Sequence, residues 1–228
     1  MSSGASQPSI HASARPGRQD RRARNDDPDV VLSKSMSYVL RHGAEKDGVP
    51  IRKDGFVRIE DLLRHKRLRG TTFEKIQQIV EANDKQRFTL KLEESAGGSE
   101  WLIKANQGHS LQSIQVDLVE LTPDQLPVCI HGTYRNAWGS IVSSGGLSKM
   151  GRNHIHFAVG KYGEPGVISG MRASCDVFIY IDVPKAVAAG VRFLQAPNGV
   201  VLSDGINGRI PTDFFLTVQD RSGTTLEF

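Results

Sequence analysis

The hydrophobic period of this chain changes part-way along its length, and that change constrains the architecture more than any other feature. From Leu32 to Val80 the apolar residues recur at helical spacing, as Leu32, Met36, Val39 and Leu40, then Ile59, Leu62 and Leu63, then Phe73, Ile76, Ile79 and Val80. After Arg87 they alternate. RFTLKL sets Phe88, Leu90 and Leu92 against polar neighbours, SAGGS reads as a turn, and EWLIK returns as a second strand. Three helices followed by a hairpin predict a winged-helix module over residues 29–107, a scaffold that serves nucleic-acid and protein recognition alike. Thr71 and Glu74 stand at capping-box spacing for the third helix. Gly43, just past YVLRHG's cations, is expected to take the left-handed cap conformation.

Residues 108–126 read as a linker, with Pro123 and Pro127 on either side of DQL. Beyond it come the short β-rich runs VCIHGT, HIHFAV, DVFIYIDV, VRFLQ, GVVLS and FFLTV, interrupted by one expected short helix, NAWGSIVSSGG. Residues 127–228 are therefore expected to form a mainly antiparallel α+β lobe. No G-x-G-x-x-G follows a strand and no G-x-x-x-x-G-K-[ST] is present, so a dinucleotide would have to be held in another way. Residues 1–28, rich in Ser, Ala, Gly and Arg, read as a disordered tail. Its arginines at 15, 18, 21, 22 and 24 are more simply solvated than phosphate-bound.

With 228 residues, 38% hydrophobic and 24% charged, the chain can bury a core without staples, and no apolar run approaches a membrane span. The N-terminus lacks an apolar signal core, and its arginines alternate with Asp20, Asp26, Asp27 and Asp29. Cys129 and Cys175 sit in apolar runs, so reduced, buried thiols and a cytoplasmic or nuclear location are expected. A net charge of +4 permits a nucleic-acid partner without requiring one. HKRLRG, residues 65–70, is readable as a helix C-terminus or as an RNA phosphate contact.

Three stretches carry candidate chemistry. Arg41 and His42 are either cations answering a helix dipole or reagents. His131, Gly132 and Thr133 end a buried strand, where the histidine is either a satisfied core residue or a ligand. GLSKMGRNHIHFA supplies Lys149, Arg152 and Asn153 on a glycine-rich loop, then His154 and His156 on one strand face. Backbone amides and an arginine beside imidazoles suit the pyrophosphate and ribose hydroxyls of a dinucleotide. The His-x-His pair has no cysteine or carboxylate in ligand spacing, so no metal site is expected.

YVLRHG, KDGFV, NDKQRF, HGTYRNAWGSI, GLSKMGRNHIHFA and GMRASCDVFIYIDV occur in this order between Leu32 and Leu216, and together they closely resemble the NAD-dependent tRNA 2′-phosphotransferases. The resemblance implies an α+β protein with an N-terminal winged-helix RNA lobe and a C-terminal ADP-ribosyltransferase-like lobe carrying a split sheet. It implies a catalytic quartet of Arg41, His42, Arg87 and Arg172. It places His131, Gly132, Thr133, Arg152, Asn153, His154 and His156 on NAD-binding segments. The implied reaction removes a splice-junction 2′-phosphate from tRNA, or from another RNA with an internal 2′-phosphate, in the final step of tRNA splicing. The phosphate attacks NAD, expelling nicotinamide and forming RNA-2′-phospho-ADP-ribose. The neighbouring ribose hydroxyl then attacks phosphorus, yielding an RNA 2′-OH and ADP-ribose 1″,2″-cyclic phosphate. A monomer acting away from membranes is expected.

Physical chemistry agrees with this residue set. A phosphate monoester is mostly dianionic at neutral pH, with a second pKa of about 6, so the first step needs no general base. GVVLSDGI, where related protein ADP-ribosyltransferases carry a glutamate, has none, and Glu164 precedes the DVFIYIDV strand. The second step develops charge on a phosphoryl group, which fixed guanidiniums stabilise. Two rival readings are a transferase that stops after ADP-ribosylating nucleic-acid terminal phosphates, and a non-catalytic RNA-binding module.

Overall fold

The computed structural model describes residues 27–95, 98–168 and 170–228. The expected tail, up to residue 26, and residues 96–97 of the expected SAGGS turn lie outside them. The architecture is α+β with every strand pairing antiparallel. Helix α1, Pro28–Tyr38, starts inside the span read as tail, because the Asp27 carboxylate accepts from Asp29 N and Pro28 opens the helix.

Three strands and three helices share the first hydrophobic cluster, which contains Met36, Leu40, Leu62, Ile76 and Ile103. Strand β1, Val57–Arg58, precedes helix α2, Ile59–Arg64, and helix α3 spans Phe73–Glu81. The hairpin of β2, Phe88–Ser95, and β3, Gly98–Ala105, carries β1 on its β3 side. The α3 cap is Thr72, whose hydroxyl accepts from Lys75 N, rather than the expected Thr71. The helix begins one residue later than the spacing with Glu74 suggested.

The second cluster gathers Phe157, Ile179, Phe193, Val201 and Val218. One sheet runs β12-β8-β5, with β5 at Ile130–Thr133, β8 at Val177–Ile181 and β12 at Phe215–Asp220. A second runs β4-β9-β10-β7, with β4 at Val119–Leu121, β7 at Ile155–Phe157, β9 at Phe193–Gln195 and β10 at Val201–Ser203. An isolated bridge between Ile130 and Ala158 joins the β5 and β7 edges. Strands β6, Gly146–Ser148, and β11, Arg209–Pro211, form a separate pair. The expected helix is α4, Arg135–Ser143, and a further helix, α5 at Val183–Ala188, follows an Asp182 cap. The α5 signal was local: Asp182 accepts from Lys185 N and Pro184 occupies the first turn.

The segment expected as a linker is structural. Gly108, His109, Leu111 and Ile114 are buried, and Val119–Leu121 forms β4 against β9. Apolar residues in short, proline-flanked runs do not reveal an edge strand, because only the partner strand supplies the pattern. No described helix is long and apolar enough to cross a membrane.

Gly146 shows how tightly this half closes: at φ +137°, a Cβ built there would stand 2.1 Å from the Ile210 carbonyl oxygen across the β6–β11 pair. Gly146→Ala should therefore cost at least about 1–3 kcal/mol of stability, an overpacking penalty with rigid backbone as the obstacle. Calorimetry should show the melting temperature falling by about 2–4 °C per kcal/mol in a chain of this size. An unchanged melting temperature would contradict the close β6–β11 approach.

Candidate functional site

Helix α1 does not end where its cations were expected to cap it. Residues Val39–Gly43 form a π-helical turn in which Ala44 N donates to Val39 O at 2.9 Å, and Ala44 continues in right-handed helical geometry. Gly43 is not left-handed, contrary to expectation. A Cβ there would meet the Tyr38 ring at 2.6 Å, so glycine lets the widened turn pack on that ring. A π-turn inserts one residue into the helical register and is common at functional sites. Here it presents Arg41 and His42 together, both in the last turn.

Arg41 Nε and Nη2 are buried without a hydrogen-bond partner among the described residues. Its guanidinium lies against Gly108, where an added Cβ would stand 3.5 Å from Nε and Cζ. Burial, then the charges of Arg87 and Arg152, push Arg41 down to about 10. His42 Nδ1 bonds Ser110 Oγ at 2.9 Å, and burial plus Arg41 and Arg152 hold its imidazole below the ordinary value. Ser110 N donates to Arg41 O, so one residue of the expected linker contacts both Arg41 and His42.

Arg87 sits after Gln86, whose φ of +43° is left-handed. Asn83 Oδ1 accepts from Arg87 N at 3.2 Å and from Nη1 at 3.3 Å. Arg172 lies on the turn before β8, where Cys175 N donates to Arg172 O. It is close enough to Arg152 and Lys85 to depress both. No ion pair of the described residues contains Arg41, Arg87, Arg152 or Arg172. Cations gathered without carboxylate partners are electrostatically costly, and a bound polyanion would relieve that cost.

Two cavities meet at His42. One, about 530 Å³, is lined by α1 and the α3 end, with Ser37, Tyr38, Arg41, Asn83 and Arg87. The other, about 750 Å³, is walled by Ala137, Ile141, Leu147 and Ile155 and headed by polar residues. His131, Thr133, Arg152, His154 and His156 line it; Gly132 and Asn153 do not. A Cβ on Gly132 would stand 2.9 Å from Met171 Cβ and 3.0 Å from Cys175 Sγ, so Gly132 lets the Arg172 turn approach β5. Asn153 ties the two halves: its amide donates to Leu111 O at 3.0 Å and its carbonyl accepts from Gln112 at 3.0 Å. Among the described residues no carboxylate lines the larger cavity.

His131 Nδ1 bonds His156 O at 2.9 Å, and His156 Nε2 bonds Gln107 Oε1 at 2.8 Å. Burial and the nearby cations push His156 down to about 3 and His109 down to about 4. Cys129 and Cys175 are free, buried thiols, as expected. Among the described residues no cluster could hold a metal ion. Sequence reasoning passed over Ser110, Asn83 and Gln107, since lone polar residues acquire a role only from the partner that folding brings to them. In HKRLRG, His65 pairs with Asp47 at 3.2 Å, Leu68 is buried, and Arg67 lies over the Tyr38 ring at 4.2 Å.

The buried histidines make stability pH-dependent. Both groups stay neutral when folded, while an unfolded histidine takes a proton near pH 6.5. The unfolded chain thus binds more protons below pH 6.5, and stability falls as pH falls from there towards about 4. Each excluded proton adds a slope of about 1.4 kcal/mol per pH unit. Urea unfolding between pH 7 and 5 should show the decline, and His156→Gln should flatten it. A pH-independent midpoint in the wild-type chain would contradict neutral burial.

Comparison with known proteins fits this geometry. The model of the RNA 2′-phosphotransferase, Tpt1 / KptA family, matches residues 27–205. The tRNA 2′-phosphotransferase 1 of Homo sapiens is 48% identical over 191 residues, 83% of this chain and 74% of the human one. The tRNA 2′-phosphotransferase of Saccharomyces cerevisiae is 41% identical over 189 residues, 79% of this chain and 81% of the yeast one. A Schizosaccharomyces pombe relative is 41% identical over 220 residues, yet this chain spans only 58% of its length. With matched segments that include every cation of the junction, the chain belongs to the RNA 2′-phosphotransferase, Tpt1 / KptA family.

Proposed function

We propose that this chain removes the splice-junction 2′-phosphate from tRNA by transferring it to NAD. One observation carries the reading: His42 stands where two cavities meet, amid guanidiniums that enter no ion pair among the described residues. In this reading the helical half is a winged helix that receives RNA, in keeping with its helix–strand–helix–helix–hairpin order. The strand-rich half is an ADP-ribosyltransferase-like lobe that receives NAD.

The larger cavity fits NAD by its donor set. An apolar wall from α4 and β6 suits a flat heterocycle, and Arg152 and Lys149 suit a pyrophosphate. Bound NAD supplies an electrophilic ribose carbon and, next to it, a hydroxyl. Arg41 and Arg87, in the smaller cavity, hold the RNA 2′-phosphate, whose buried, unpartnered contact is Arg41 Nε and Nη2. The dianion is its own nucleophile, so a cavity wall free of carboxylates is no handicap. In the phosphoryl step Arg87 and Arg172 stabilise charge on the transferring group. His42, tied through Nδ1 to Ser110, keeps Nε2 for a proton at the attacking hydroxyl.

The direct test is to incubate the protein with NAD and an RNA bearing one internal 2′-phosphate and resolve the products by mass. Loss of the RNA phosphate with release of nicotinamide is expected. RNA that gains ADP-ribose and stays so would favour the terminal-phosphate transferase, and unchanged RNA would favour a binding module. Arg87→Ala and Arg172→Ala should slow loss of the RNA phosphate more than nicotinamide release, because their largest gain lies at the phosphoryl transition state. Equal slowing of both would contradict that assignment. Arg41→Lys and His42→Gln should lower turnover by two or more orders of magnitude, roughly the worth of one preorganised donor. The melting temperature should stay within a few degrees, since Arg41→Lys keeps the positive charge and His42→Gln exchanges a neutral imidazole for a neutral amide. Near-normal turnover would return both residues to a structural role.

A further inference from the structure

The turn bearing Arg87 is held at three successive carbonyls. Gln86 O accepts from Asn106 Nδ2 at 2.7 Å and Arg87 O accepts from Asn106 N at 2.9 Å, both within the first half of the chain. Lys85 O accepts from Asn198 Nδ2 at 3.2 Å, and Asn198 belongs to the strand-rich half. The Lys85 side chain reaches the same half, with Nζ 5.7 Å from the Tyr162 ring centroid. The cation that must face Arg172 therefore has a backbone anchor on the side of the cleft where Arg172 lies.

Asn198 sits in the APNG turn between β9 and β10, where Gly199 N donates to Ala196 O and Gly199 takes φ +75°. Asparagine is common in such turns for local backbone reasons, which is the plain explanation for it. Two facts exceed that explanation. Asn198 is only 1% exposed, whereas hairpin tips ordinarily face water. Its Oδ1 is buried with no partner among the described residues, a cost the site accepts while keeping the Nδ2 bond to Lys85. A turn alone would be served by an exposed asparagine.

We propose that Asn198 is a positioning residue that sets Arg87 against the strand-rich half of the site. The proposal rests on Arg87 acting on the RNA phosphate, as read above. Left-handed Gln86 is the adjustable joint, because its φ of +43° is costly for a side-chain-bearing residue and persists only while the carbonyls on either side are held. Releasing Lys85 O frees that joint and lets the guanidinium drift, and misplacement by about 1 Å is enough to cost about a hundredfold in rate.

The test is a double-mutant cycle in the full chain, with 2′-phosphorylated RNA and NAD as substrates. Asn198→Asp keeps turn preference and volume but loses the donor. Asn198→Gly keeps the turn and removes the side chain, so one variant covers a folding failure of the other. Each should lower kcat by about tenfold or more while leaving KM for NAD within about twofold. In an Arg87→Lys background the same substitutions should change kcat by less than about twofold, since the group they position is already impaired. Equal losses in both backgrounds, or no loss in the wild-type background, would overturn the proposal. If Arg87→Lys itself leaves turnover intact, the assignment of Arg87 fails and the positioning role falls with it.

Discussion

The structure turns on a concentration of positive charge that no ion pair of the described residues neutralises. Arg87 and Arg152 lie close enough to depress Arg41, and Arg172 close enough to depress Arg152, yet no ion pair of the described residues contains any of the four. Like charges in a half-buried setting repel, and Arg41 bears the cost most plainly, with two buried nitrogens unpartnered among the described residues. Such a cluster persists only if backbone and neighbours hold it rigidly. The π-turn, the Ser110 tie, the Asn83 and Asn106 clamps and the Gly132 approach are the means. Stability is given up locally so that a polyanion finds its counter-charge already assembled.

The two halves of the chain then have distinct tasks. Helices and hairpin present Arg41, His42 and Arg87 from one side, and the antiparallel sheets present Arg152 and Arg172 from the other. Neither side is a complete site. Joining them falls to polar ties of modest strength: Asn153 to Leu111 and Gln112, His156 to Gln107, and Asn198 to Lys85. Polar ties suit this junction because their geometry is directional, and direction is what a site built from two sides needs.

Neutral imidazoles complete the setting. His109, His131 and His156 are all pushed below the ordinary value, with burial the leading cause in each and positive neighbours adding to it. They supply hydrogen bonds without further positive charge, which would be hard to add here. An acid or amide in their place would either pair with an arginine or change the donor pattern along the cavity wall.

Much of this was legible in the amino-acid order. The switch from helical to alternating periodicity marked where helices give way to strands, and RHG, DKQRF, GMRAS and NHIHF contained the residues that converge. Local signals sufficed for these because a helix or strand face is decided by neighbours a few residues away. What the order of residues could not decide was context. Gly43 looked like a left-handed cap and became the floor of a π-turn, and residues 108–126 looked like a linker and became packed structure bearing Ser110 and β4. Asn153, expected on an NAD-binding segment, also bonds Leu111 and Gln112, and Asn198, in the turn between β9 and β10, bonds the Lys85 carbonyl. In each case the deciding partner lies far away along the chain, 113 residues away for Asn198 and Lys85. Only the tertiary fold brings such groups within hydrogen-bonding distance, so only it could say which polar residues hold the site and which line it.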